Sequence, residues 1–280
     1  MEQGDRCCNI RRPVELTELR FEFGQNWQRF LKVLDDDRIA AAADSLKEML
    51  GVEDLAGKRF LDIGCGSGLF SLAARGLGAC VHSFDYDETS VLCTEELKRR
   101  YFPDDAQWSV ERGSILDESY TSGLGHFDVV YAWGVLHHTG DMWRAMELAC
   151  DRVKDDGLLF IAIYNDQGAV SQRWATIKRT YNKSPRIVRS GIVLTVGAYF
   201  AARAAAGSIA GTRAPLSKLQ NSPRGMSRWH DLIDWVGGYP FQVSKPEEIL
   251  DFARARSFEL VRLKTWGGQL GCNEYVFHRK

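Results

Sequence analysis

The chain has 280 residues, which is long enough to bury a substantial core as one large domain or as a core with an appendage. Its seven cysteines are odd in number and scattered, with no CxxC pair and no Cys/His cluster at zinc spacing, which argues against a structural metal and indicates a reducing, cytoplasmic setting. The net charge of -1 hides a basic island, because residues 167–230 hold eleven Lys or Arg and no Asp or Glu, leaving 25 basic against 37 acidic residues elsewhere.

Residues 1–57 are predicted to form a helical cap. The polar start of the chain, with no apolar run, does not look like a signal peptide. Aromatic residues recur further on, at Phe21, Phe23, Trp27 and Phe30. Asp36 or Asp37 is placed to cap the next helix. Two interpretations stay open: the aromatic side chains pack the cap onto the core, or the segment folds over the mouth of a ligand site.

The stretch at residues 59–70, RFLDIGCGSGLF, reads as a buried strand, a glycine loop and the start of a helix. Gly64, Gly66 and Gly68 allow the backbone to turn sharply under a ligand, which can then lie on bare main chain. Asp62 stands just before the first glycine, where it would repel a pyrophosphate. The loop therefore favours a cationic ligand over a dinucleotide.

A second strand, at residues 81–85, ends in Asp85, at the position from which a carboxylate binds ribose hydroxyls in doubly wound folds. Together with the glycine loop, this acid resembles the cofactor motif of class I S-adenosylmethionine-dependent methyltransferases, loosely of the ubiquinone-biosynthesis type. The cofactor carries an ammonium, a sulfonium and no phosphate. The resemblance covers roughly residues 58–163 and implies a doubly wound α/β fold with a seven-stranded, mostly parallel, Rossmann-like sheet. A nicotinamide-dependent Rossmann domain is the alternative.

The resemblance also implies which residues hold S-adenosylmethionine and its product S-adenosylhomocysteine. The glycine loop and the two acids bind most of the molecule, and the loop after the third strand holds adenine. The implied cofactor-binding set is Asp62, Gly64, Cys65, Gly66, Gly68, Asp85, Tyr86, Ser114, Ile115 and Trp133. Family members often carry an acid at the position of Ser114.

The segment after the fourth predicted strand is the main candidate for chemistry. Helices are predicted at residues 69–76, 89–101 and 142–153, and strands at 108–111, 127–131 and 157–164. Because ligands bind outside the carboxyl ends of strands in open parallel sheets, residues 132–140 should face the methyl group. His138, or else His137, could take a proton from a hydroxyl during methyl transfer. The alternative is that either histidine packs beneath the cofactor.

Residues 167–243 are predicted to form a basic helical insertion, for which three interpretations stay open. As a lid, it would place arginines near an anionic group of the acceptor, such as a carboxylate or phosphate. As a membrane-surface element, it would contact anionic lipids, although the uncharged run at 190–202 is too short to cross a bilayer. An RNA-binding role is not favoured, because exposed aromatic residues are sparse among the basic ones.

Residues 224–240 combine charged, aromatic and glycine residues at a density typical of a functional surface. Asp231 and Asp234 lie one helical turn apart, where they pair with nearby arginines or bind acceptor hydroxyls. His230 is a third candidate base. The predicted substrate-binding set is Trp27, Tyr164, Asn165, Arg224, Arg228, Asp231 and Asp234. Tyr164 and Asn165 either orient the acceptor or merely end the fifth strand.

Residues 244–280 are predicted to complete the core at 58–166 with a helix to about Arg256 and an antiparallel hairpin of strands at 258–266 and 274–278. The leading function is methylation of a hydroxyl on a small molecule, such as a phenol, quinol or sugar, since no Asn-Pro-Pro-Tyr signature follows the fourth strand. The alternatives are an N-methyltransferase, a tRNA-modifying enzyme and a non-enzymatic cofactor-binding module. The sequence leaves the acceptor and the oligomeric state open.

Overall fold

The computed structural model describes residues 20–209, 228–266 and 271–280. Seven strands form a single sheet in the order β3-β2-β1-β4-β5-β7-β6. The strands are β1 Arg59–Ile63, β2 Cys80–Asp85, β3 Trp108–Arg112, β4 Phe127–Trp133, β5 Val153–Tyr164, β6 Phe258–Lys264 and β7 Cys272–Arg279. Strands β1 to β5 pair in parallel, and β7 runs antiparallel between β5 and β6. The predicted doubly wound fold with its edge hairpin is therefore confirmed.

The central strands are apolar along their length because helices cover both faces of the sheet. Alternate residues point to opposite faces. Leu61 and Val130 enter one core, and Phe60 and Tyr131 enter the other. The ten described helices are α1 Phe23–Phe30, α2 Asp36–Leu50, α3 Leu69–Gly76, α4 Glu88–Tyr101, α5 Glu118–Gly123, α6 Met142–Cys150, α7 Ala169–Lys183, α8 Arg186–Ile209, α9 Arg228–Gly237 and α10 Pro246–Arg254.

The predicted cap of α2, end of α6 and start of β5 are wrong. The cap of α2 is Asp35, whose side chain accepts a hydrogen bond of 3.0 Å from the backbone N–H of Arg38, so that Asp36 and Asp37 occupy the first turn instead. Helix α6 stops at Cys150, and β5 begins at Val153 rather than at residue 157. The early part of β5 is polar and exposed, so its sequence lacks the apolar run that is typical of a buried strand.

The insertion forms a helical layer over the sheet edge where the parallel strands end. Helix α9 packs against α7, α8 and α1, so that the insertion and the N-terminal cap meet. Tyr181, Val193 and Val236 form the small core of this layer, and Phe21 of the cap packs against it. Within the described part of the chain, no helix has the length and apolar character needed to span a membrane.

Candidate functional site

A cavity of about 1370 Å³ lies at the carboxyl ends of the parallel strands. Its lining comes from the glycine loop, α1, the segment after β2, the insertion and the β6–β7 hairpin. Pockets for single small ligands generally measure roughly 300–1,000 Å³. This cavity is larger, so it has room for a cofactor and an acceptor side by side.

The glycine loop presents bare backbone to one end of the cavity. Gly64 and Gly66 have φ angles of 69° and 57°, in the left-handed region that favours glycine. A Cβ atom on Gly64 would lie 2.6 Å from both Cγ atoms of Val135. On Gly66 it would lie 3.0 Å from Nε1 of Trp27, because α1 covers the loop from outside. Neither position can carry a side chain without displacing a neighbour.

Asp85 is fixed beside this loop by two backbone donors. The N–H of Gly66 donates to its Oδ2 at 3.0 Å, and the N–H of Asp87 donates to its Oδ1 at 2.9 Å. Burial raises the pKa of Asp85 to about 6. The half-exposed ring of Tyr86 lies next to it, with the guanidinium of Arg20 4.3 Å from the ring centroid. A rigid carboxylate and an aromatic face suit a ribose and an adenine.

Asp62 lies deeper, at 2% exposure, and also lines the cavity. Ser71 Oγ donates to its Oδ2 at 2.5 Å, and burial raises the pKa of the carboxyl group to about 7. A cationic ligand would offset this cost by favouring the ionised form. Bare main chain between the buried carboxylate of Asp62 and the half-buried carboxylate of Asp85 therefore fits S-adenosylmethionine better than a pyrophosphate. Cys65 and Trp133 line the same end of the cavity.

Three residues of the predicted cofactor set lie away from the cavity. Ile115 is 5% exposed and packs into the core that contains Leu61, on the face of the sheet opposite to Tyr131, which lines the cavity. Ser114 Oγ accepts a hydrogen bond from the backbone N–H of Leu116. Arg112 reaches the cavity near Tyr86 instead. Gly68 packs against Thr94 at the start of α3, so its role is to shape the turn.

The two adjacent histidines occupy different environments. His138 is 4% exposed and lines the cavity, and its Nδ1 lies 2.6 Å from the carbonyl oxygen of Pro240. Burial and the charge of Lys178 lower its pKa to about 3. His137 is fully buried against the rings of Tyr164 and His138, at 4.0 and 4.4 Å between centroids, and does not line the cavity. His137 therefore matches the packing alternative and not the role of a base.

The predicted acceptor residues are partly brought together. Trp27, Tyr164, Asp231 and Asp234 line the cavity. Asn165 does not, and its Oδ1 accepts a hydrogen bond of 3.2 Å from Asn273, so it ends the strand. Arg224 lies outside the described residues, and so do the side chains of Arg228 and His230. Their proposed roles stay predictions.

Sequence reasoning missed two residues at this end. Lys178, expected beside the apolar face of α7, is fully buried within it, and Nζ lies 4.7 Å from the ring centroid of Trp235. Its position between Trp174 and Tyr181, at steps of four and three residues, was the available signal. Glu274 of β7 lines the cavity at 5% exposure.

Helix α1 contacts both halves of the cavity. The N–H of Gly24 donates to Asp87 Oδ2 at 2.8 Å in the segment after β2. Asn26 Nδ2 donates to Asp234 Oδ1 at 2.9 Å on α9. The cap thus bridges the cofactor half and the insertion.

Comparisons with known proteins agree with this geometry. A family model described as a methyltransferase domain matches residues 34–189, more than half of the chain. The chain is 33% identical over 128 residues to a ubiquinone biosynthesis O-methyltransferase of Methylobacterium sp. (strain 4-46), covering 46% of this chain and 49% of that protein. It is 36% identical over 86 residues to a tRNA U34 carboxymethyltransferase of Ectopseudomonas mendocina (strain ymp), covering 30% and 26%.

The chain spans about half the length of the curated ubiquinone-biosynthesis relatives it matches. Among solved structures, magnesium protoporphyrin IX methyltransferase from Synechocystis PCC 6803 with bound SAH superposes with a TM-score of 0.51 at 15% identity, covering 99% of this chain and 90% of that one. This likeness shows the fold. By the family match and by its fold, the chain belongs to the methyltransferase domain family, of the class I S-adenosylmethionine-dependent type that its motifs predicted.

Proposed function

We propose that the chain transfers a methyl group from S-adenosylmethionine to a hydroxyl group of a small-molecule acceptor. The observation that carries the proposal is the 2.6 Å contact between His138 Nδ1 and the carbonyl oxygen of Pro240, from which the tautomer of His138 follows. A carbonyl oxygen can only accept a hydrogen bond, so Nδ1 carries the proton toward Pro240 and Nε2 keeps its lone pair. Gly238, without a side chain, packs against the Cε1–Nε2 edge of the ring. The imidazole is thereby held as a hydrogen-bond acceptor at the cavity wall.

The low pKa of His138 makes it a weak base, but a neutral imidazole can still assist methylation of a hydroxyl group. S-adenosylmethionine, when bound, supplies an electrophilic methyl group on its sulfonium, and the in-line displacement requires alignment and exclusion of water. The hydroxyl proton becomes strongly acidic only as the oxygen forms its new bond, so a weak base can accept it late. His138 would first orient the oxygen lone pair through a hydrogen bond and then take the proton.

The comparisons support the same acceptor atom. The ubiquinone-biosynthesis relatives are named as O-methyltransferases. The methyltransferase domain model matches residues 34–189, which include the loop that carries His138. The walls of the cavity near this histidine are aromatic, with Phe23 at 5.1 Å and Tyr164 at 5.4 Å between ring centroids. Aromatic walls of this kind suit a phenol or quinol.

Methyl-labelled cofactor tests the proposal. We expect label on the oxygen of phenols or catechols incubated with the protein, and H138A to lower turnover roughly 100-fold while S-adenosylhomocysteine affinity stays within about twofold. The variant H138Q, whose amide oxygen can still accept a hydrogen bond, should recover part of the loss. Label on nitrogen, or equal turnover in wild type and H138A, would contradict the assignment.

A further inference from the structure

The floor of the acceptor half is one face of the sheet. Ala162 of β5 is paired with Trp133 of β4 on one side and with Glu274 of β7 on the other. Tyr164 is paired with Cys272 in the next row of the same face. These residues line the cavity or pack directly beneath it, so the side chain of Glu274 enters an aromatic pocket.

Glu274 is a buried acid with an unused oxygen. It is 5% exposed, and its Oε2 has no hydrogen-bond partner among the described residues. Lys264 stands opposite it in the β6–β7 register, but its side chain is exposed and the described part of the chain gives Glu274 no ion pair within 4.0 Å. A buried charged group left unpaired costs more free energy than an unsatisfied neutral group does. A ligand that donates to Glu274 would offset this cost.

A second polar group of the pocket is also unused. The indole Nε1–H of Trp235 is buried without an acceptor among the described residues, and Trp235 lines the cavity. Trp235 stands at right angles to Tyr164, with 5.1 Å between centroids. Trp133 and Trp266 line the same region. Aromatic faces of this kind attract a cation.

The charges around the pocket favour a positive ligand. Asp231 and Asp234 of α9 line the cavity, whereas no described Lys or Arg of the insertion does. The buried Lys178 lies behind Trp235, where Nζ donates to the backbone carbonyl of that residue. Arg20 and Arg112 also line the cavity, but they lie beside Tyr86 at the cofactor end, and Lys264 lines it opposite Glu274 with an exposed side chain. Burial raises the pKa of Asp234, so Glu274 and Asp231 are the acids that would repel an anionic acceptor, and no described arginine of the insertion would attract it. The expected lid of arginines around an anionic group is not what the described residues form.

The position of Glu274 relative to the methylated atom limits the size of the acceptor. Strand β7 lies two strands from β4, or roughly 10 Å at the usual strand spacing. Trp133 and Gly134, at the end of β4, border the cofactor half. A group bound by Glu274 is thus separated from the reacting hydroxyl by about one aromatic ring and a short linker.

We propose that Glu274 binds a protonated amine on the methyl acceptor, which is then a hydroxylated aromatic amine. This inference rests on the proposed function for the identity of the reacting group, but the recognition of the amine can be measured without methyl transfer. The aromatic walls hold the ring, Trp235 donates to an oxygen of the acceptor, and the carboxylates exclude anionic analogues.

Three probes that differ in one charged group test the proposal: tyramine, 4-ethylphenol and 3-(4-hydroxyphenyl)propionate. Binding is measured by calorimetry on the full chain saturated with S-adenosylhomocysteine. We expect tyramine to bind at least tenfold more tightly than the propionate. The variant E274Q should lower tyramine affinity about tenfold and change 4-ethylphenol affinity less than twofold, because the amide still accepts a hydrogen bond but carries no charge.

The matched control is E259Q, which neutralises an exposed glutamate on the neighbouring strand β6 and should leave all three affinities unchanged. Unchanged S-adenosylhomocysteine affinity in E274Q shows that the variant is folded. The proposal is overturned if the propionate binds as tightly as tyramine, if none of the probes binds, or if E274Q weakens tyramine and 4-ethylphenol equally. Tyramine selectivity without methylation of any probe would instead refute the proposed function alone.

Discussion

Replacing Asp62 with asparagine tests whether the cofactor site holds an unfavourable buried charge. Asp62 is 2% exposed, and burial raises the pKa of its carboxyl group from 3.8 to about 7. An acid whose pKa is higher in the folded state holds its proton more tightly there, so the protein loses stability as pH rises from about 4 to about 7. At about 1.36 kcal/mol per pKa unit, the total loss approaches roughly 4 kcal/mol above pH 7.

Urea denaturation without ligand, from about pH 4.5 to pH 8, measures this loss. We expect the free energy of unfolding to fall by about 3 kcal/mol more in wild type than in D62N across that range. The comparison of slopes removes the constant cost of placing an amide at this position. S71A is the matched control, because it removes the hydrogen bond to Asp62 and keeps the titrating carboxyl group.

The same substitution should act in the opposite direction on the cofactor. D62N removes a negative charge beside a cationic ligand, so calorimetry should show weaker binding of S-adenosylmethionine above pH 7. Parallel pH profiles of stability in wild type and D62N would refute the reasoning about burial. Unchanged cofactor affinity would refute the electrostatic role.

Three further substitutions have defined outcomes. G64V should abolish cofactor binding in calorimetry, because a Cβ at this left-handed position meets Val135 at 2.6 Å, and retained affinity would overturn the loop assignment. N26A leaves Asp234 without its 2.9 Å donor and should lower the free energy of unfolding by about 1–2 kcal/mol in urea, whereas no change would mean that α1 does not hold α9. Burial lowers the pKa of Lys178 to about 7. Between about pH 7 and pH 10 the unfolded chain therefore binds more protons than the folded protein, and the free energy of unfolding of the wild type should rise with pH. K178M should flatten that rise, and an identical pH profile of stability in K178M and wild type would contradict the burial of Lys178.

The cofactor half could be predicted because its determinants are nearly contiguous. Glycine is the residue type that readily adopts the positive φ angles of Gly64 and Gly66. Asp85 is the last residue of β2, so the predicted strand also predicted its position. Ser114 and Ile115, whose assignment came from family position alone, lie away from the cavity. After β3 ends, the N–H of Gly113 donates a hydrogen bond to the carbonyl oxygen of Asp85, and Ile115 packs into the core on the other face of the sheet. No local sequence pattern predicts this turn of the chain.

The acceptor half could be predicted only in part, because folding assembles it from distant segments. Tyr164 and Asp234 were predicted because Tyr164 ends the fifth strand and Asp234 lies in a stretch rich in aromatic and charged residues, and both line the cavity. Lys178 was missed because lysine is expected at the surface, and its burial depends on rings contributed by other elements. Glu274 was missed because its burial arises only when β7 pairs with β5 and the insertion covers that face.

The net charge of the basic island differs from the charge of the surface that the insertion turns toward the cavity. On α7 and α8 most described basic residues are exposed, namely Arg173, Arg179, Lys183, Arg186 and Arg203. Lys178 is buried and Arg189 is half-buried, but neither lines the cavity. The insertion residues that reach the cavity are mostly apolar or acidic, such as Phe200 and Asp234. A helix with a period of 3.6 residues presents different side chains to the solvent and to the site. The excess of lysine and arginine therefore lies largely on the outer surface of the insertion, while the surface that lines the cavity is acidic and aromatic.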